Sequence, residues 1–450
     1  MPLQWSHVDW TSVGEEATRD LQQLLRIDSS NPPGNEVEAA DFVAERLRED
    51  GLEPTILTSA PDRVNVITRI EGSEDLAPLL LSAHLDVVPA HEDNWRYPPF
   101  AGERKEGFLW GRGAIDMKNM VVMSMWMMKL IKRMGQPKRT VIFAAVADEE
   151  AGCHYGSHWL VDHHPDQIRA GYMISELGGF TLHLMGKRFY PIQVAEKGQV
   201  ELLMRTRGTK GHGSMPKRRS SNTKLAEAIA KIGKTKLPRH MIPIQQHFLN
   251  EVSNHLPFPA NKLFPLLGTP LGEQLMRILP DEQSEPLDAN MRNTVAATVL
   301  EAGGKGERNV IPGESRAWLD ARIIPGQQPE DVIRELRAVI GDEPELEILD
   351  AQLPVWIDDY QDDLFGLMCE AIRRHDPEGI PVPYLLPGFT DAKAYNRLGI
   401  RCYGFAPLQL PKDVSFSGLF HNVNERIPVD GFQWGLKTLA DVVTSFAGAR

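Results

Sequence analysis

Five short motifs hold the residues whose types and spacing could do chemistry. "SAHLDVVP" carries His84 and Asp86, "GRGAIDMK" carries Asp116, "ADEEAG" carries Asp148, Glu149 and Glu150, "ISELGG" carries Glu176, and "FHNVNE" carries His421. The run "VIFAAVADEEAG" poses the sharpest question, because it drives a buried apolar stretch into three consecutive acids. Packed like charges repel, and a desolvated carboxylate is expensive. Those acids therefore face either water, as an ordinary strand-to-loop turn, or a cation. Imidazole nitrogen and carboxylate oxygen without thiolate suit Zn, Mn or Co, and a shared carboxylate suits two ions. Asp86, two residues beyond His84, lies on the same strand face if the extension persists, where it can accept the other ring N–H.

Taken singly, each residue also has an ordinary role. His84 fits a satisfied core histidine, Asp116 a helix N-cap, Glu150 a solvated turn and Glu176 an ion-pair partner. What distinguishes the readings is the set of elements that must position them. Apolar runs at 64–70, 77–84, 140–147 and 171–175 read as strands buried on both faces, and 14–27 and 36–50 read as amphipathic helices, with Gly51 placed as a C-cap. The window "MVVMSMWMMKLI" reads as a buried helix whose methionines fill the core, and it is too short to span a bilayer. Strands separated by helices predict an α/β fold with a mostly parallel, helix-covered sheet, and ligands of such sheets collect at the carboxyl ends of strands. His84, Glu149, Glu150 and Glu176 are expected at such ends, with Asp116 just before the methionine-rich helix.

After about residue 195 the texture changes. Residues 199–208, 314–323 and 345–352 approach period-two alternation, and 221–233 and 328–340 read as helices, which predicts a smaller α+β unit. A Pro-rich stretch at 237–290 has no legible fold. The α/β texture returns with a helix at 362–374, a strand at 400–407 and a closing helix at 430–446. This pattern reads either as three domains in a row or as one α/β domain, 1–195 and 356–450, interrupted by an α+β lid at 196–355.

Composition limits the function classes. The chain has 450 residues, 42% hydrophobic and 24% charged, as in a soluble globular protein of two domains. A formal charge of −12 argues against a nucleic-acid partner. The first residues lack a basic start followed by an apolar core, so no signal peptide or membrane anchor is expected. Three scattered cysteines form no disulfide framework or metal knuckle, which predicts a reducing, cytoplasmic setting.

The motifs "SAHLDVVP", "GRGAIDMK", "DEEAG", "GTKGHGSMP", "NVIPGESRAWLDARIIPG" and "FHNVNE", in that order, resemble the dinuclear zinc hydrolases that include aminoacylase, glutamate carboxypeptidase, carnosinase, yeast carboxypeptidase S and succinyl-diaminopimelate desuccinylase. The resemblance covers nearly the whole chain, from about residue 10 to 446. It implies two Zn2+ per chain, with Mn2+ or Co2+ as substitutes. Asp116 would be the bridging carboxylate, with Glu150 and His421 completing one metal site and His84 and Glu176 the other. Glu149 would be the general base that takes a proton from the attacking water and hands it to the leaving amine, and Asp86 would orient His84. From the lid, His212 would steady the oxyanion, commonly across a dimer interface, while Asn309 and Arg322 would hold the substrate, Arg322 by its free carboxylate. Gly388 and Thr390 in "LPGFTDAKA" match a loop near that carboxylate. The resemblance also suggests a cis peptide bond after Asp116.

The expected function is hydrolysis of an amide or peptide bond next to a free carboxylate, of dipeptidase or carboxypeptidase type, by a homodimer acting on a small molecule. The alternatives are an N-acyl-amino-acid deacylase or desuccinylase and, from another class, a catalytically silent binding protein. His154 and His158, four apart, lack an HExxH context, "EAGGKGER" lacks the P-loop's GK[ST], and Cys153 has no basic neighbour to activate it.

Overall fold

The computed structural model describes residues 5–91, 93–277, 281–304, 306 and 308–449. Parts of the N-terminal stretch, of the 237–290 insert and of "EAGGKGER" lie outside the described residues. The centre of the fold is a ten-stranded sheet whose middle strands, Leu79–His84, Val141–Val146, Tyr172–Ser175 and Arg401–Gly404, run parallel. Their residues are almost all buried, as continuous apolar runs require when helices cover both faces. Helices Trp10–Leu24, Lys118–Met134 and Val429–Ala447 pack with this sheet into the main core, and the methionines of the second are buried filler.

The sheet is mixed rather than mostly parallel. Hairpin Thr55–Ala60/Arg63–Ile70 adds antiparallel strands on one side, and Lys187–Glu196 joins Arg401–Gly404 antiparallel on the other. Strand Gly379–Leu386 then pairs parallel with Lys187–Glu196. Arg63–Ile70 is the strand expected at 64–70; the sequence hides the other flanking strands because Thr55–Ala60 is largely exposed, and Pro191, Pro381 and Pro383 interrupt the apolar runs.

A second sheet of four antiparallel strands uses Gly198–Arg207, Thr294–Ala302, Glu314–Ile323 and Glu345–Gln352. Its alternating inward residues, including Val200, Leu202, Leu319 and Ala321, pack on helices Ser221–Lys234 and Pro329–Ile340, as the period-two pattern predicts. The insert folds into short helices. The longest, Pro243–His255, does not join the second sheet's core. It lays Val252 and Leu256 against Phe189 and Val382 of the large sheet.

Candidate metal centre and substrate cleft

The sharp end of the strand Val141–Val146 explains the three acids. Asp148 takes a left-handed φ of 71°, a conformation short polar residues tolerate. Its carboxylate turns away from the cleft and accepts from Arg63 Nη2 (2.8 Å), Asn31 Nδ2 (3.0 Å) and the Tyr155 N–H (3.0 Å). The turn then aims the N–H groups of Glu149 and Glu150 at Asp86, whose two oxygens accept them at 3.1 Å each. Asn31 Nδ2 also donates to Asp86 at 2.8 Å. Asp86 is thus fully buried and doubly employed, since His84 Nδ1 lies 2.8 Å from its backbone oxygen and 3.5 Å from its carboxylate.

With Nδ1 so engaged, His84 Nε2 points into a set of carboxylates: Asp116 Oδ1 at 3.2 Å, Glu176 Oε2 at 3.7 Å and Glu149 Oε2 at 3.9 Å. The other oxygen of Asp116 lies 3.2 Å from His421 Nε2, which is 3.0 Å from Glu150 Oε2. Asp116 therefore spans the two imidazoles, one oxygen to each. The peptide bond after it is cis, as the resemblance suggests.

Electrostatics mark this cluster as incomplete. Burial pushes the Glu176 carboxyl up to about 8 and those of Glu149 and Glu150 above the usual carboxylate range. His421 is held up to about 10 by Asp116 and Glu150. Burial works against the charged form of His84, yet Asp116, Asp86 and Glu176 hold its proton affinity well above that of free histidine. Arg112 and Lys118, the two cations in "GRGAIDMK", face elsewhere. Arg112 Nη1 donates to Glu425 at 2.6 Å, and Lys118 Nζ donates to the carbonyls of Leu24 and Ile27. Glu150 Oε1 and Glu176 Oε1 are buried without a hydrogen-bond partner. His84 with Glu149 and Glu176, and His84 with Asp116 and Glu150, each bring one donor atom per residue within 4.8 Å of one another. Orphaned carboxylate oxygens and an all-nitrogen-and-oxygen donor set fit divalent cations.

Glu425 is a functional residue that the sequence reading passed over, although "FHNVNE" contains it. Fully buried, it accepts from Arg112 and from the N–H groups of Gly113, Ile115 and Asp116, at 2.6–3.3 Å, and so fixes the loop that presents Asp116. The motif held the signal, but one sequence does not show that this carboxylate turns inward. Asp391 is a second such case: it is buried behind the cluster, accepts from Ser157 Oγ at 2.5 Å, and has one oxygen without a partner.

The cluster opens into a cavity of about 1440 Å³, whose wall includes Asp116, Glu149, Glu150, Glu176, His421, Arg322 and Gly388. Arg322 is held by a bidentate contact to Asp320, at 2.9 and 3.0 Å. Thr390 is behind the wall, its hydroxyl donating to Glu196 Oε2 at 2.6 Å. His212 and Asn309 are not brought to the cluster. They are exposed and share a small ribbon in which Gly211–His212 pairs with Val310–Ile311 and the Gly213 N–H donates to the Asn309 carbonyl. His154 and His158 stack at 6.2 Å between ring centroids, and burial raises the Cys153 thiol well above its ordinary range. No described helix is long and apolar enough to cross a membrane.

The model of the family described as Peptidase family M20/M25/M40 matches residues 80–445. Among similar curated proteins, the "N-fatty-acyl-amino acid synthase/hydrolase PM20D1" of Mus musculus is 30% identical over 98% of this chain and 89% of its own length. The "Probable carboxypeptidase S-like 2" of Dictyostelium discoideum is 28% identical over 80% of this chain and 70% of its own. Among solved structures, the M20 family metallo-carboxypeptidase Sso-CP2 of Sulfolobus solfataricus superposes with a TM-score of 0.70 at 19% identity, covering 95% of this chain and 98% of that one. Human carnosine dipeptidase 1 gives 0.67 at 16% identity, over 99% and 100%. At these identities the two structures show the shared fold.

Proposed function

The chain belongs to peptidase family M20/M25/M40 and is a hydrolytic enzyme of the metallopeptidase kind, and from that premise we propose that it cleaves an amide bond whose amine side bears a free carboxylate, with two zinc ions held at the strand ends. The observation that carries this reading is Asp116, which offers one oxygen beside His84 and the other beside His421, while Glu150 and Glu176 each keep a buried oxygen without a partner. In this assignment His84 and Glu176 would hold one ion and Glu150 and His421 the other, with Asp116 shared between them. Mn2+ or Co2+ suit the same donors. When bound, the ions supply Lewis-acid polarisation of the scissile carbonyl and a stronger oxygen nucleophile.

The remaining steps belong to side chains. Glu149, buried and of raised proton affinity, takes a proton from the attacking water and returns it to the leaving amine. Asp86 fixes the His84 ring and the backbone of the Glu149–Glu150 turn together, so ligand and base keep one geometry. Arg322 takes the substrate carboxylate in the cleft, beside the Gly388 loop that Thr390 anchors from behind. His212 and Asn309 act on the substrate of a neighbouring copy, which makes the working form a homodimer. Residues 1–195 and 356–450 form the catalytic unit and 196–355 the lid. The three free, buried cysteines accord with a reducing, cytoplasmic setting.

The substrates in this class are dipeptides and N-acyl amino acids. The cavity favours the second, because its wall away from the acids is predominantly apolar, and relatives carrying the N-fatty-acyl-amino acid name align over nearly the whole chain. The test is release of free amine from dipeptides, N-acyl amino acids and their C-terminal amides by zinc-loaded protein, with Glu149→Gln as the blank. Cleavage confined to free-carboxylate substrates is expected. Equal cleavage of the amides would remove the carboxylate requirement, and no release across the panel would overturn the reading.

A further inference from the structure

Among the described residues, the helices of the insert from Pro243 onward have no part in the acid cluster or in the second sheet's core, yet they supply a large share of the cleft wall. Phe248, Leu256, Leu263, Phe264, Leu267 and Leu275 face the cavity from its short helices. Among the described residues, no charged side chain of the insert lines it. Leu184, Tyr384 and Leu386 of the large sheet line it too, with the Phe248 and Tyr384 rings 6.3 Å apart. The apolar surface is continuous with the chemistry: the rings of His421 and Phe420 lie 5.3 Å apart, Phe420 and Phe416 5.6 Å, and Phe416 stacks on Phe180 at 4.3 Å. The volume, about 1440 Å³, exceeds the roughly 300–1,000 Å³ usual for small-molecule pockets.

We propose that the helices between Pro243 and Met276 build a binding site for a long, unbranched aliphatic acyl group, so that acyl-chain length is what this side of the cleft selects. The inference rests on the amide-hydrolase reading and adds which residues choose the acyl group. On the insert's side of the cleft a dipeptide's ammonium group would meet no acid among the described residues, and leaving that charge unpaired is costly. An aliphatic chain loses nothing there and gains with each buried methylene. The geometry also divides the labour. The insert packs through Val252 and Leu256 on the large sheet, the sheet that carries His84 and the Glu149–Glu150 turn. The second sheet supplies polar lining through Gln199, Glu201, Arg322, Asp350 and Gln352. The acyl chain is therefore held by the body that bears the acids, and the carboxylate end by the other sheet.

The test measures binding of straight-chain N-acylglycines, from butanoyl to hexadecanoyl, to metal-loaded Glu149→Gln protein. Two wall variants, Leu263→Asp and Ala260→Phe, are made on that background. Leu263 is 44% exposed, so a change there leaves the core intact. The expected result is an affinity that rises up to about fourfold per added methylene until the chamber is full, with a shallower rise in both variants. A flat dependence on chain length, or a rise that neither variant alters, would overturn the proposal. Glycine release from the whole N-acylglycine series, hexadecanoylglycine included, by the metal-loaded protein with Glu149 intact reports separately on the hydrolase reading. Turnover with a flat length dependence removes only the acyl-chain site. A steep, variant-sensitive dependence without turnover supports that site and counts against the hydrolase reading.

Discussion

The turn at Asp148–Glu150 and the ribbon bearing His212 and Asn309 are built on opposite plans. At the turn, each backbone N–H of the two functional acids has a named acceptor on Asp86, and Asp148 is tied to Arg63 and Asn31. On the ribbon, His212 is exposed and its ring contacts only its own neighbourhood, with Nδ1 2.7 Å from Ser214 Oγ. Burial and cross-bracing suit groups that must hold ions and move a proton at fixed distances. An exposed histidine on a two-residue pairing suits a group that acts on another surface. In the proposed assignment, one half of the site lies within the chain and the other half would be presented to a neighbouring copy.

The most severe way to break this contrast is at Glu149. Glu149→Gln is expected to lower kcat by about 10²–10⁴ while metal content stays at the parent level. Loss of metal along with activity would mean that Glu149 is a ligand, which its 3.9 Å approach to His84 Nε2 makes a real alternative. His212→Ala should cost about 10²–10³ in kcat and leave both metal content and Tm unchanged. Mixing His212→Ala chains with Glu149→Gln chains should then restore part of the activity, because in one of the two sites of the heterodimer both functional groups are intact. No restoration would place His212 in the same chain's site.

Two smaller effects sharpen the comparison. Arg322→Ala should raise KM for free-carboxylate substrates by about 10–100-fold and leave their amides little affected, a split that equal effects would refute. Asp86→Ala should weaken metal binding about 10–100-fold, since it releases the His84 ring and the Glu149–Glu150 turn at once. Metal affinity at the parent level in that variant would show that the turn holds without it.

Legibility in the sequence followed the same division. Val141–Val146 and Leu79–His84 announce themselves because parallel central strands are apolar on both faces, and their polar ends then stand out against that background. Arg322 was legible only through the resemblance carried by "NVIPGESRAWLDARIIPG"; the strand Glu314–Ile323 puts Asp320 two residues back on the same face, where it holds the guanidinium. Lys187–Glu196 escaped because Arg188, Pro191 and Gln193 interrupt it, although Gln193 is buried and donates to Glu196. The insert escaped for a different reason. Its helices are short, punctuated by Pro257, Pro259, Pro265 and Pro270, and apolar both toward the cavity and toward two small buried clusters, so no single period dominates. Glu425 was visible as a letter, but its role depends on three backbone N–H groups about three hundred residues away in sequence.

The central claim is that the strand ends hold two metal ions and that Glu149 is not one of their ligands. Metal analysis of protein exchanged against zinc, run in parallel on the parent chain and on Glu149→Gln, tests it most directly. The account predicts about two ions per chain in both. Fewer than about one in the parent, or a collapse of metal content in the variant alone, would contradict it.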